Sequence, residues 1–302
     1  MTRDVFYLKI QNDGGDMKKN YLILFLLLMF STFANSQIKV TVLEDSIYSQ
    51  SLKAYSKFNV ILPVNYFMSD ERFVTIYLLH GYTGDYNDWV SRTNLVKYAR
   101  DYNFIVVTPD GKNSWYVNAL NKKNHDYEDY IVKELVPYIG KRFRALDTRH
   151  GRAIAGLSMG GYGALRLGLK YSNTFFYSAS FSGAFHFPVA LAKENEKETK
   201  SKLLKDAFDI FGSKEGSFWD DCDIFKFIDK ANTASLPYIY ISCGKDDYFE
   251  LLEGNRKAVY ELQKKKALYE YHELPGAHNW IYWDKAIDDV LYKLSRYDNL
   301  KP

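Results

Sequence analysis

The stretch RAIAGLSMGGYG, residues 152–163, sets Ser158 inside a G-x-S-x-G pattern, with three glycines following the serine closely. The apolar run Ala153 to Ala155 reads as a buried strand, and Tyr162 to Lys170 reads as a helix. The serine therefore falls on a sharp strand-to-helix turn, where its hydroxyl is held clear of the backbone as a nucleophile. Such a turn leaves no room for a Cβ beside the serine, and Gly156 and Gly160 supply that room. The helix N-terminus just beyond favours negative charge where an oxyanion would form.

A serine hydroxyl needs a base, and the base needs an acid to orient it. Two later loops offer them in the order serine, acid, histidine. One is Gly244-Lys245-Asp246-Asp247 at a strand end, with Asp247 in position for the acid. The other is Pro275 to Trp280 after the last strand, with His278 as base. Groups in loops beyond the carboxyl ends of parallel strands meet at one edge of the sheet. The Met159 N–H and the loop His80-Gly81-Tyr82, through the Tyr82 N–H, are expected to form the oxyanion hole. Trp115, Tyr116, His186 and Trp280 are the candidates for touching substrate, because each follows a strand end. His80 is expected to brace its loop, His125 to cap a helix and His150 to lie exposed. No histidine–carboxylate spacing reads as a metal site.

The rest of the chain supplies elements to hold these groups. Lys39 to Leu43 and Tyr55 to Leu62 read as antiparallel edge strands. Phe73 to Leu79, Phe104 to Thr108, Phe175 to Phe181, Pro237 to Cys243 and Leu268 to Leu274 read as strands alternating with helices at Asn94 to Arg100, Asp126 to Lys141, Leu251 to Lys266 and Ile281 to Leu294. That alternation predicts an α/β fold, a mostly parallel sheet with helices on both faces. Pro188 to Ser235 is longer than a crossover needs and reads as an insertion near the site.

With 302 residues the chain can form one large domain, and a net charge of +3 from well-mixed residues gives no basic block for nucleic acid. Two cysteines give no disulfide framework and no metal pattern, and leave a Cys222–Cys243 bridge open. Lys18-Lys19, an apolar run from Tyr21 to Phe30 and Ala34-Asn35-Ser36 have the form of an export signal, too short to span a bilayer. Residues 1–36 are therefore expected to be an upstream extension plus signal peptide with Met17 as the true start. Residues 37–302 are expected to form the folded domain, secreted or periplasmic, with no membrane span after cleavage.

The segments LLHGYTGDYNDW, TPDGKNSWYVN, YIVKELVPYIGKRF, AIAGLSMGGYGAL, SCGKDDYFE and LPGAHNWIYW together resemble the esterase D-like group of α/β-hydrolases. That group includes feruloyl and acetyl xylan esterases of carbohydrate esterase family one, S-formylglutathione hydrolases and mycolyltransferases. The resemblance implies an α/β-hydrolase fold with Ser158 as nucleophile, His278 as base and Asp247, rather than Asp246, as acid. It also implies an oxyanion hole at Tyr82 and Met159, a small-molecule or polysaccharide-borne ester as substrate, and no cofactor. An export signal argues against S-formylglutathione hydrolysis, a cytosolic task. Acyl transfer and a carbohydrate-binding module that keeps the fold are the alternatives. The high aromatic content, 26 tyrosines among them, fits core packing as well as a stacking surface, but Trp115 and Tyr116 after a strand end, together with the export signal, favour a feruloyl or acetyl ester on plant-type polysaccharide.

Overall fold

A computed structural model describes residues 6–9, 41–191, 194, 196–212 and 217–297. The expected signal sequence, Lys18 to Ser36, lies outside the described residues, as do Lys39 and Val40.

The strands are β1 Phe6–Lys9, β2 Thr41–Ser49, β3 Ala54–Leu62, β4 Thr75–Leu79, β5 Ile105–Pro109, β6 Arg152–Leu157, β7 Tyr177–Phe181, β8 Tyr238–Gly244 and β9 Tyr269–Leu274. They form one sheet in the order β1-β2-β3-β5-β4-β6-β7-β8-β9. From β5 to β9 every pairing is parallel, while β2 and β3 run antiparallel as the edge hairpin expected from their alternation. The strand β1 pairs parallel with Thr41 to Glu44, so the sheet takes its edge from a segment that the sequence alone places outside the domain.

The longer helices among the described residues are α1 Asp88–Arg92, α2 Leu95–Tyr102, α3 Val136–Arg142, α4 Met159–Lys170, α5 Phe187–Leu191, α6 Lys202–Phe211, α7 Ser217–Asp220, α8 Ile224–Lys230, α9 Phe249–Lys264 and α10 Trp280–Ser295. Successive residues of the buried strands feed two cores. Tyr77 and Leu79 pack with α4, α6 and α9, whereas Ile76 and Leu78 pack with Trp89, α2 and α10. Both faces of the sheet are thus covered, as a continuous apolar strand requires.

Pro137 does not break its helix. A short α-helical turn, Tyr127–Asp129, passes into a π-helical stretch, Tyr130–Leu135, and only then into α3 with Pro137 in its first turn. The missing proline N–H falls where the wider turn already alters the bonding pattern.

The insertion carries α5 to α8 and is fastened to α4. Tyr162 Oη donates to the Cys222 carbonyl at 2.7 Å, and Arg166 Nε donates to the Asp221 carbonyl at 2.8 Å. Arg166 is itself buried and paired with Glu128. Lys170 Nζ lies 2.7 Å from the other carboxylate oxygen, and Tyr171 Oη donates to it at 2.6 Å. Burial alone would raise the Glu128 pKa; the Arg166 charge and these donors outweigh it and bring it down to about 2. A carboxylate with a depressed pKa adds stability above its unfolded pKa and loses it as pH falls through the folded one. Glu128→Gln should therefore cost about 3 kcal/mol at pH 7, because the buried Arg166 charge is left without its partner. The gap between wild type and variant should narrow as pH falls from 4.5 towards 2. Urea unfolding at pH 7, 4 and 3 checks this, and a gap that widens on acidification contradicts it.

Candidate active site

Ser158 joins β6 to α4 and is the one residue between Ala153 and Leu169 that is not buried. Its φ of 52° and ψ of −115° put it in a conformation that costs a non-glycine residue about 1–3 kcal/mol. The surroundings enforce it. A Cβ on Gly156 would lie 2.4 Å from the Gly160 carbonyl oxygen, and one on Gly160 would lie 2.5 Å from the carbonyl oxygens of Leu79 and His80. The turn is therefore clamped onto the end of β4.

His278 Nε2 stands 3.1 Å from Ser158 Oγ, and His278 Nδ1 stands 2.9 Å from Asp247 Oδ1. Asp247 Oδ1 also accepts the Tyr248 N–H at 2.7 Å, and the Asp247 side chain is fully buried. Burial alone would push its pKa up. Hydrogen bonds from His278, Ser182 and the Tyr248 amide prevail and hold it below the ordinary value. With Nδ1 donating to a carboxylate, Nε2 is free to take a proton from the serine hydroxyl. The array can activate a hydroxyl towards an acyl carbon. Asp246 makes no contact with His278; its N–H is spent on the Gly276 carbonyl.

The loop after β4 lies beside the serine, since a Cβ on Gly81 would sit 3.6 Å from Ser158 Cβ. Its orientation follows from His80. The Gly111 N–H donates to His80 Nε2 at 2.8 Å, so the imidazole proton is on Nδ1, which donates to the Gly81 carbonyl at 2.8 Å. Asp110 Oδ1, at 3.7 Å from Nε2, is beyond hydrogen-bond reach. The Gly84 N–H holds the same Gly81 carbonyl at 3.1 Å. A trans peptide plane with its carbonyl pinned must present its N–H, that of Tyr82, the opposite way. Neither the Tyr82 nor the Met159 N–H donates to any acceptor among the described residues. Two amides at the serine are thus available to an oxyanion. The Tyr82 side chain reaches out to the insertion, where its Oη donates to Asp206 Oδ2 at 2.7 Å.

The four candidate substrate residues fare differently. Tyr116 is not a contact residue: it is completely buried, and its Oη donates to the His80 carbonyl at 3.0 Å. Trp115 is buried too, its indole stacked 4.2 Å from the Phe187 ring. The loop carrying both folds inward, and φ values of 55° and 56° at these two residues make the turn that sends the rings under α4. Trp280 packs edge-on against Trp89 and Trp283, with the Arg92 guanidinium over its ring. His186 is half-buried against Gly254 of α9, and burial lowers its pKa. His125 does not cap a helix but is buried against Tyr127.

Three residues at the site were not singled out from sequence. Trp283 lies edge-on to the His278 ring at 4.9 Å and donates through Nε1 to Ser182 Oγ at 3.2 Å. Ser182, with φ 51°, lies near enough to Asp247 to help lower its pKa. Tyr248 lies 5.2 Å from the His278 ring. Its position right after the acid was the one legible signal. Cys222 and Cys243 are buried free thiols, and Cys243 Sγ is 3.8 Å from Asp247 Oδ2. Glu270, His272 and Asp289 come close enough to share a cation. The cation they hold is the Lys293 ammonium, 2.9 Å from Asp289 and 3.1 Å from His272.

A parallel sheet with a strained serine at its centre and this relay beside it defines a serine hydrolase of the α/β-hydrolase class. Residues 49–294 match the Esterase family model, and the chain belongs to that family. An acetyl esterase of Caldicellulosiruptor saccharolyticus is 31% identical over 268 residues, which span 85% of this chain and 99% of the relative. Two Staphylococcus aureus structures are similar throughout. The fluorophosphonate-binding serine hydrolase FphF superposes with a TM-score of 0.74 at 25% identity, over 85% of this chain and 99% of its own. The S-formylglutathione hydrolase FrmB gives 0.71 at 25% identity, over 85% and 99%. The chain is a carboxylic ester hydrolase. No described helix is long and apolar enough to cross a membrane.

The burial of Tyr116 makes a distinct expectation. Tyr116→Phe should cost about 1 kcal/mol of stability through the lost hydrogen bond to His80, with the ratio of ferulate to acetate hydrolysis unaltered. Thermal unfolding and the two rates check it; a shift in that ratio would return Tyr116 to the substrate.

Proposed function

We propose that the protein is an exported esterase that removes short acyl groups, acetyl foremost, from hydroxyls of polysaccharide, by an acyl-enzyme on Ser158. The observation that carries the reading is the relay from Ser158 through His278 to the buried Asp247, at 3.1 and 2.9 Å, beside two unengaged amides.

In the proposed reaction His278 Nε2 takes the Ser158 proton as Oγ attacks the carbonyl carbon. The carbonyl oxygen, now anionic, is held by the Tyr82 and Met159 N–H groups. The bond to the alcohol oxygen breaks as Nε2 returns the proton to it. Water, deprotonated by the same nitrogen, then attacks the acyl-enzyme and releases the acid and Ser158. Asp247 keeps the proton on Nδ1 and stabilises the imidazolium.

A relative of nearly the same length named for acetyl hydrolysis supports the acetyl group. The rings that favoured ferulate, Trp115 and Tyr116, lie in the core, so the stacking argument for a phenolic acid loses its footing. The fluorophosphonate-binding neighbour supports a reactive serine. The Lys18-Lys19 pair, the apolar run and Ala34-Asn35-Ser36 support export.

A fluorophosphonate probe should label wild type at Ser158 and leave Ser158→Ala unlabelled and inactive. Asp247→Asn should lower kcat by roughly 10⁴-fold while Asp246→Asn changes it little. On 4-nitrophenyl acetate, methyl ferulate and a long-chain ester, kcat/KM should favour acetate by about tenfold or more. Full activity in pure Ser158→Ala sinks the mechanism, and a preference for ferulate or the long chain sinks the acyl assignment.

Export predicts a mature N-terminus at Gln37, and such cleavage would remove β1 and leave β2 as the sheet edge. N-terminal sequencing of the extracytoplasmic protein decides it; a chain that retains residues 17–36 there contradicts it.

A further inference from the structure

An ester bound for the proposed reaction has little freedom in how it lies. Its carbonyl oxygen faces the Tyr82 and Met159 amides. The proton held on His278 Nε2 must reach the departing oxygen, so the alcohol half lies on the imidazole side of Ser158. What the chain presents there is aromatic. The Tyr248 ring is 5.2 Å from the His278 ring, inclined at 47°, and the residue is 64% exposed. Phe249, the next residue, is 71% exposed.

These rings are not on a loose surface segment. The Tyr248 N–H is bonded to Asp247 Oδ1 at 2.7 Å, and its carbonyl accepts the N–H groups of Leu251 and Leu252, each at 3.0 Å, to start α9. The backbone of Tyr248 is therefore held from both sides, by the same carboxylate that orients His278. The imidazole has two aromatic neighbours of opposite kind. Trp283 is buried and tied to Ser182, and so fixes the ring edge-on. Tyr248 leaves most of its surface open to solvent within 5.2 Å of the imidazole whose Nε2 protonates the alcohol.

We propose that Tyr248, flanked by Phe249, forms the alcohol-side subsite of the enzyme and takes a ring-bearing alcohol, aryl or pyranose, face-on against its own ring. This rests on the esterase reading and names the half of the substrate which that reading leaves open. A ring buries a flat C–H or π surface there as the alcohol binds, and it departs with the alcohol once the acyl-enzyme has formed.

That last point supplies the test. Ethyl acetate, benzyl acetate and an acetylated methyl xyloside all give one acetyl-enzyme, so an alcohol subsite acts on acylation alone. In wild type, Tyr248→Ala and Tyr248→Phe, kcat/KM is measured for each ester, and deacetylation is followed after a 4-nitrophenyl acetate burst. Tyr248→Ala should lower the benzyl-to-ethyl ratio, the xyloside-to-ethyl ratio, or both, by about 3–10-fold, while Tyr248→Phe keeps them. A fall in the benzyl arm identifies an aryl alcohol, and a fall in the xyloside arm a sugar. Unchanged ratios overturn the proposal. So does an equal loss on all three esters with slowed deacetylation, which would make Tyr248 a residue that only positions His278. Hydrolysis of the three esters that survives Ser158→Ala would instead overturn the esterase mechanism itself.

Discussion

The contact on which the rest of the site depends is the one between the Ser158 turn and the end of β4. Gly156 and Gly160 let the turn approach the carbonyls of Leu79 and His80 to a distance that excludes any side chain. That approach brings the strained serine beside the His80 loop, whose Tyr82 amide faces away from a carbonyl held by two donors. Ser158 and the Tyr82 and Met159 amides are thus placed by backbone packing at the middle of the sheet, where both faces are covered and little can shift. The strain at Ser158 persists because α4 is buried from its first residue to Leu169 and cannot relax outward.

The acid side of the relay is built on a different economy. Asp247 is buried, and a buried carboxylate is stable only if its lone pairs are occupied. Donors come from His278, from the Tyr248 amide and from Ser182, with the Cys243 thiol nearby. Ser182 is oriented by the indole N–H of Trp283, which also abuts the His278 ring. One tryptophan on α10 thus braces both the base and the donor to its acid. The positive φ of Ser182 is the backbone cost of turning the chain there.

The sheet was legible because its signal is local: continuous apolar runs give buried strands, and alternation gives the edge hairpin. Ser158, Asp247 and His278 were legible as types at strand ends in a fixed order, and they converge because parallel strands end on one side. What failed was side-chain direction. Trp115 and Tyr116 stand in a loop at a strand end, as a contact residue would. Two successive left-handed residues turn them under α4, and no propensity reveals such a pair at a tryptophan and a tyrosine. Ser182 and Trp283 were invisible for the complementary reason: their roles arise only when β7 and α10, 101 residues apart at this contact, meet across the sheet end. The same holds for the Lys293 cluster, whose carboxylates come from β9 and α10.

These anchorages divide the surroundings of the serine between two parts of the chain. The insertion is held to α4 through Tyr162 and Arg166, and α6 is joined to the oxyanion loop through Asp206 and Tyr82. The opposite flank, at His278, is formed by the turn that carries Asp247 into α9. The two flanks also meet directly, since α8 packs on α9 with Lys257 Nζ 4.0 Å over the Phe225 ring and Lys265 Nζ 3.6 Å from Asp229, so a change in the insertion can be felt at α9. Tyr248 gives its amide to the catalytic carboxylate, so its backbone is tied to the relay, and only its side chain is free to vary. An esterase so arranged can be retuned readily at the insertion and more narrowly at α9, where variation is confined to the rings that project from a fixed turn.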